Sequence, residues 1–529
     1  MNYDLPYPST RSPVLGRNVV ATSQPLAAQA GLQMLQQGGT AADAAIAAAM
    51  VLTVVEPTGC GVGSDAFALV WDGQGLHGLN ASGRAPAAWT PDYFAAKGGI
   101  PALGWDAVTV PGVVSGWIAL HDAHGCLPLE TIAAPAIRYA RGGFAVSPVI
   151  ATLWANGARR LKDQPGFAAE FMPGGAAPKA GQVVRRPALA ATLEDIVATR
   201  GESFYRGALA QKIVDHAQAH GGAMTLADLD AHRADWVAPM SQRFRGAAVQ
   251  EIPPNGQGLA TLIALGLLDG LPFEAQGVDS VETTHLMIEA TKLALADADR
   301  FIADVDAMEF DPAALLEPAY LAARRALIDP HSAGLPGHGA PRPGGTVYLT
   351  VADAEGRMVS FIQSNYMGFG SGVVVDGTGI SLQNRGAGFN VTAGHPNCVA
   401  PGKRPFHTII PGFATTADGS APLMSFGVMG GPMQAQGHLQ MAVRVLAYGQ
   451  NPQAAADAPR WRVVEGRQVA VESTFPPELV AGLRALGHDI IIESPDAVFG
   501  FGGAQLIVVG EEGYVAGSDP RKDGQAVAF

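Results

Sequence analysis

Apolar and polar positions alternate most clearly in two arms, residues 344–353 and 357–364, both rich in β-branched and aromatic side chains. Between them, Asp353-Ala354-Glu355-Gly356 reads as a type I turn closed by a glycine in the left-handed region. That turn pairs Asp353 with Arg357, and counting outward in register sets Thr346 opposite Ser364 with both side chains on one face. Elsewhere the spacing is helical. Ser23, with Pro25 in the first turn, predicts a helix start running to Leu35 and stopped by Gly38-Gly39. Thr40 predicts the cap of a second helix over residues 41–54, apolar nearly all round and therefore buried. A strand is predicted over 66–71, behind the tight turn Gly59-Cys60-Gly61-Val62-Gly63. Residues 127–327 read as mostly helical. In the clearest case, residues 281–301, Leu286, Ala290, Leu293 and Ala294 form one face, and the charges Glu282, Glu289 and Lys292 are expected on a solvated one. Short strands are expected near 373–375 and over 423–428, and a helix reaching Leu446 follows Met429-Gly430-Gly431-Pro432.

Composition narrows the class. The 529 residues are 48% hydrophobic and 15% charged, which is globular, and the length suits several domains or one large α/β domain. A net charge of −13 argues against nucleic acid or an anionic membrane surface as partner. Cys60, Cys126 and Cys398 are widely spaced and in no metal-ligand pattern, as in a reducing compartment. The N-terminal residues have neither a basic nor an apolar leader region, and the longest apolar run, residues 44–55, is too short to span a bilayer. A cytoplasmic protein is the expectation.

Candidate chemistry gathers at the hairpin. The Gly/Pro-rich run from His331 to Gly345 ends abruptly at Thr346. On local sequence alone a surface linker entering an edge strand is the better reading. The sharper one is a self-cleaving junction, in which Thr346 Oγ attacks the Gly345 carbonyl, the ester hydrolyses and Thr346 becomes an N-terminus. A free α-amine has a pKa of about 7.7–8, against about 10.4 for lysine, and so serves as base for its own hydroxyl near neutrality. Ser364 would orient that hydroxyl. Gly430 and Gly431, at a strand-to-helix turn, either aim two N–H groups at an oxyanion or form a plain tight turn. Arg84 is a salt-bridged structural arginine or a carboxylate reader, and unaided the former is favoured. The turn at residues 59–63 follows a helix and precedes a strand, the reverse of a dinucleotide fingerprint. The sequence has no Gly-x-Ser-x-Gly elbow, no His-Glu-x-x-His and no P-loop.

Several short motifs fall in one order: Glu56-Pro57 with its glycine turn, Arg84-Ala85-Pro86, Val110-Pro111-Gly112, Pro253-Pro254-Asn255-Gly256, the Gly345-Thr346 hairpin, Gly430-Gly431 and Ser518-Asp519-Pro520-Arg521. Together, over essentially the whole chain, they resemble the γ-glutamyltransferase (glutathione hydrolase) family of N-terminal nucleophile hydrolases. The resemblance implies an α+β fold, a four-layer αββα sandwich made from an autocleaved proenzyme. It implies chains 1–345 and 346–529 forming one composite domain, a heterodimer or a dimer of heterodimers, with no metal and no organic cofactor. By the same resemblance Thr346 is the nucleophile released by cleavage after Gly345, Ser364 its orienting hydroxyl, and Gly430 and Gly431 the oxyanion pair.

Departures from the family pattern bear on the substrate. Ser82 stands where the family's carboxylate-binding arginine is expected, with Arg84 two residues on. Asn384-Arg385-Gly386-Ala387-Gly388 lacks the acid that grips an α-ammonium, and a buried ammonium without a carboxylate is costly. Tyr366 replaces an asparagine, His407 and Thr408 replace a serine pair, and the segment 390–402 is short. A pocket with Arg84, Arg385, Tyr366, His407 and Thr408 as substrate-binding residues suits a small anionic amide. The chain is thus similar to the branch that includes oxamate amidohydrolase, cytosolic enzymes of purine-nitrogen catabolism converting oxamate to oxalate and ammonia. The alternatives are a glutathione hydrolase or γ-glutamyltransferase, an acylase on larger amides, and a non-catalytic scaffold that stays one chain.

Overall fold

The computed structural model describes residues 10–335, 345–493 and 500–529, so most of the Gly/Pro-rich run before Thr346 lies outside the described residues. Two seven-stranded antiparallel sheets carry the architecture. The first runs Val14–Gly16, Tyr514–Ser518, Gly503–Val509, Pro422–Met429, Gly412–Thr416, Ala247–Glu251, Met240–Phe244. The second runs Gln525–Ala528, Val19–Thr22, Gly345–Ala352, Met358–Tyr366, Asp65–Trp71, Leu76–Ala81, Asp235–Val237.

Strand alternation assigns the layers. On the second sheet Val347, Leu349, Val351, Ala66, Ala68 and Val70 pack in one core with the helices Pro25–Gln36 and Ala41–Val55. Their neighbours Tyr348, Ala352, Phe67, Leu69 and Trp71 point the other way, into a core shared with the first sheet and the helices Gly258–Asp269, Val281–Phe301 and Met433–Ala442. Across the gap Thr350 Oγ1 meets Ser425 Oγ at 2.6 Å, and Trp71 stacks on Phe413 with ring centroids 6.5 Å apart. Position 427 must be glycine here, because a Cβ would fall 2.4 Å from the Tyr348 ring. Helices outside, two sheets within: the fold is an α+β, four-layer αββα sandwich.

The hairpin keeps its predicted register from the turn out to Val347 and Gln363, and shifts by one residue beyond, where Gly345 pairs with Tyr366. Val347 pairs with Gln363 and Ala352 with Met358, the Asp353 N–H donates to the Arg357 carbonyl at 3.0 Å, and Gly356 turns at φ +88°. Thr40 and Asp43 form a capping box at the start of Ala41–Val55, every residue of which is buried.

Two expectations are corrected, and the stretch 127–327 is mostly helical as expected but lets in short strands. Ser23 does not cap the first helix: Gln24 accepts from the Leu26 N–H at 2.8 Å, and Ser23 Oγ donates instead to buried Glu56 at 2.6 Å. Within 127–327 the strands Asp235–Val237, Met240–Phe244 and Ala247–Glu251 interrupt the helices. The last is buried on both faces, which erases the alternation that would have announced it. Lastly, of the three charges singled out on Val281–Phe301 only Glu282 is exposed, whereas Glu289 and Lys292 are buried and ion-paired at 2.8 Å. The Lys292 ammonium also donates to the Gly334 carbonyl and to His488 Nδ1, and His488 Nε2 meets His285 Nδ1 at 2.8 Å. Ligand-type atoms of His285, Glu289 and His488 lie within 4.8 Å of one another, and the ammonium supplies the cation among them. Among the described residues no helix is long and apolar enough to cross a membrane.

Candidate active site

The hairpin carries Thr346 to the inner face of the second sheet, in line with Tyr348 and toward the first sheet. Its Oγ1 lies 3.1 Å from Ser364 Oγ, both side chains fully buried. Ser364 also accepts from the Tyr366 N–H at 2.8 Å, and Tyr366, paired with Gly345, turns the strand end at φ +79°.

The next strand extends the row. Asp65 is the register partner of Ser364, whose hydroxyl meets that of Thr346, so Thr346, Ser364 and Asp65 lie on three adjacent strands in a row. One Asp65 oxygen accepts the Gly83 and Gly112 N–H groups at 3.2 and 3.1 Å, and the other meets His407 Nε2 at 3.1 Å. Because His407 Nδ1 accepts the Ile409 N–H, Nε2 carries the ring proton and donates. Burial lifts Asp65 from 3.8 to about 7, an effect that Arg385 partly opposes, and burial pushes His407 well below its ordinary value.

Arg385 sits above this row. The Asn384 N–H donates to the Asn365 carbonyl at 3.2 Å and Asn384 Oδ1 accepts from the Met367 N–H at 3.1 Å, which stitches the segment to the strand end. The guanidinium donates to Thr408 Oγ1 at 2.8 Å and lies 4.6 Å over the Tyr366 ring. Its Nε and second terminal nitrogen are buried without a hydrogen-bond partner, and no carboxylate among the described residues lies within ion-pair distance. Burial lowers its pKa from 12.5 to about 10, with Asp65 and Tyr366 opposing. A buried cation with two idle donors is a poised anion site.

From the first sheet comes the glycine turn. Gly430 and Gly431 adopt φ +124° and +62° between the strand Pro422–Met429 and the helix Met433–Ala442. The Gly430 carbonyl accepts from Met433 N–H, and the Gly431 carbonyl accepts from Gln434 N–H and from Gln257 Nε2 at 3.0 Å. Gln434 reaches back across the gap, its Nε2 3.3 Å from Thr346 Oγ1.

The structure thus brings together Thr346, Ser364, Tyr366, Arg385 and Thr408, and ties Gly431 to them through Gln434, with Gly430 next to it in the same turn. Arg84 stands apart from these contacts. Its half-exposed guanidinium is taken by Asp304 at 3.5 Å, Asp235 at 3.7 Å and the Gly402 carbonyl. His407 has both ring nitrogens bonded within the protein. Asp65 and Gln434 escaped the sequence reading. Asp65 lies one residue before the predicted strand and opens the observed one, but its place beside Ser364 needs a pairing between strands nearly 300 residues apart, and Gln434 carries no local signal.

Comparison with known proteins places the chain in a family. The sequence pattern of the gamma-glutamyltranspeptidase family matches residues 27–529. The glutathione hydrolase-like YwrD proenzyme of Bacillus subtilis is 37% identical over 97% of this chain and 98% of its own. The oxamate amidohydrolase proenzyme of Klebsiella pneumoniae is 38% identical over 95% of this chain and 97% of its own. Among solved structures, a cephalosporin acylase from Bacillus halodurans superposes with a TM-score of 0.95 at 47% identity, covering 100% of this chain and 99% of that one. A full-length sequence match, an αββα sandwich and a threonine at the head of a central strand converge on one conclusion: the chain belongs to the gamma-glutamyltranspeptidase family of hydrolases.

Proposed function

We propose that this protein is a self-cleaving threonine amidohydrolase acting on a small anionic amide, with oxamate the first candidate. In maturation Thr346 Oγ1 attacks the Gly345 carbonyl, the peptide becomes an ester, and water hydrolyses it to the Gly345 carboxylate and a free Thr346 amine. The products are residues 1–345 and 346–529. In turnover the amine takes the hydroxyl proton, Oγ1 adds to the amide carbonyl, and Gly430 and Gly431 N–H groups hold the oxyanion. The proton passes to the leaving nitrogen, ammonia departs, and water releases the acid from the acyl ester.

The observation that carries the substrate reading is the Arg385 guanidinium, buried with two unpartnered N–H donors and held in place by Thr408 and Tyr366. A substrate carboxylate would receive both. An α-ammonium would meet a cation instead. Arg84 is left out of the pocket, since Asp235 and Asp304 already engage it, and His407 acts through Asp65. A cytoplasmic setting fits Cys60, Cys126 and Cys398, all unpaired, and the oxamate reading carries with it the implied place in purine-nitrogen catabolism.

A second reading, an acylase on larger amides, draws support from the 47% identity to the cephalosporin acylase of Bacillus halodurans. One experiment tests both. Purified protein is examined by mass spectrometry for a chain beginning Thr-Val-Tyr-Leu, and product release is measured on oxamate, γ-glutamyl anilide and a cephalosporin amide. Ammonia from oxamate with none from Thr346→Ala, which stays one polypeptide, is the expected result. Cleavage of the cephalosporin amide alone favours the acylase, and an uncut active protein overturns the threonine mechanism.

A further inference from the structure

Gln434 is absent from the mechanism above, yet its side chain touches the nucleophile. Its amide cannot turn around without loss. Oε1 accepts from the Ile410 N–H at 3.0 Å, so Nε2 is the atom that faces Thr346, donating to Oγ1 at 3.3 Å. The side chain is fully buried, and its backbone N–H holds the Gly431 carbonyl at 3.1 Å. One residue therefore braces the glycine turn and addresses the reacting oxygen.

A donor on Oγ1 acts unequally on the two halves of the reaction. In attack, Oγ1 is the nucleophile, and a hydrogen bond to it makes its oxygen more acidic but less reactive. In ester hydrolysis Oγ1 is the leaving atom, and the same hydrogen bond favours its departure as charge builds on it. We infer that Gln434 is a catalytic residue that assists expulsion of Thr346 Oγ1 from the ester, both in self-cleavage and in turnover. As water forms the new C–O bond it gives a proton to the Thr346 amine, which the shift to the ester has already freed in maturation. The C–Oγ1 bond breaks and the ammonium returns that proton to Oγ1. Gln434 contributes a hydrogen bond and no proton. The inference rests on Thr346 being the nucleophile.

The test uses full-length Gln434→Met and Gln434→Glu. The second keeps the volume and the acceptor for Ile410 but has no donor to offer when ionised, so a folding failure of the first still leaves a measurement. Loss of one neutral hydrogen bond predicts ester hydrolysis about tenfold slower. With oxamate as probe, kcat and KM should fall together with kcat/KM retained, ammonia should appear in a burst, and an acyl adduct should build up on the small chain. During maturation an uncut ester should accumulate, which hydroxylamine cleaves. A variant that loses kcat/KM at constant KM with no adduct and no hydroxylamine-sensitive species overturns the inference, as do unchanged rates. An uncut wild type instead overturns the nucleophile reading and this one with it. A cut, active wild type beside unaffected variants overturns this one alone.

Discussion

Replacing Arg385 by methionine should separate binding from folding. In the free protein the guanidinium has one side-chain hydrogen bond, to Thr408, a face on Tyr366, and two buried N–H groups with nothing to bond. A bound carboxylate would supply two charge-assisted bonds worth about 1.5–3 kcal/mol each, so the loss should be about 3–6 kcal/mol. That is roughly 10²–10⁴ in kcat/KM for an anionic amide. Stability should move little. Burial holds the Arg385 pKa to about 10 against 12.5, which is about 3 kcal/mol against the charged form. Methionine escapes that cost, while it forfeits the Thr408 bond and the ring contact, together of similar size. The assay pairs initial rates of ammonia release from oxamate with thermal unfolding in the presence and absence of oxalate. Wild type should gain about 2.7 kcal/mol at an oxalate concentration one hundred times its Kd, and Arg385→Met should gain almost nothing at that concentration. Retained kcat/KM in the variant, or a large drop in its melting temperature without ligand, would refute the reasoning. The first outcome would remove Arg385 from substrate binding, and the second would make it a structural cation.

Other perturbations probe the neighbouring groups. Ser364→Ala removes the hydroxyl 3.1 Å from Thr346 Oγ1 and the acceptor of the Tyr366 N–H, and should slow self-cleavage about tenfold or more, read from gel time courses. Asp65 has a folded pKa raised from 3.8 to about 7, so its contribution to stability is whole below about 4 and is lost as pH rises through 7. Relative to wild type, Asp65→Asn should therefore gain stability between pH 5 and pH 8, by about 3 kcal/mol, and a flat difference in urea unfolding would discard the assignment. Lys292→Met leaves Glu289 buried without its cation and should cost about 3–5 kcal/mol, with Glu289→Gln combined with Lys292→Met recovering much of it.

Local chemistry made the centre of the site legible. A turn whose glycine closes at Gly356 sets the register of six successive pairs out to Val347 and Gln363, so Thr346 and Ser364 could be placed together before any tertiary contact was known. Motif order carried the fold class, because each motif sits where chain meets chain closely. What stayed hidden depends on contacts distant in sequence. Asp65 joins the row only through sheet pairing with Ser364, and Gln434 arrives from the opposite sheet. Glu289 and Lys292 follow the spacing of a solvated face yet lie beneath His488, and helical periodicity cannot see a neighbour some 200 residues ahead. Arg84 reads unaided as a salt-bridged arginine and by resemblance as a substrate reader, and its two acidic partners, at positions 235 and 304, could be named only once the chain was folded.

The interleaving of strands has a consequence for refolding. Each sheet is woven from residues on both sides of position 345, and the strand that Gly345 opens has Val19–Thr22 along one flank and Met358–Tyr366 along the other. A break before Thr346 would leave two polypeptides, neither with a finished hydrophobic interior. Folding would then be unimolecular before the break and bimolecular after it. Maturation would act as a ratchet, giving a protein that survives dilution while it holds its shape and does not reassemble once it has lost it.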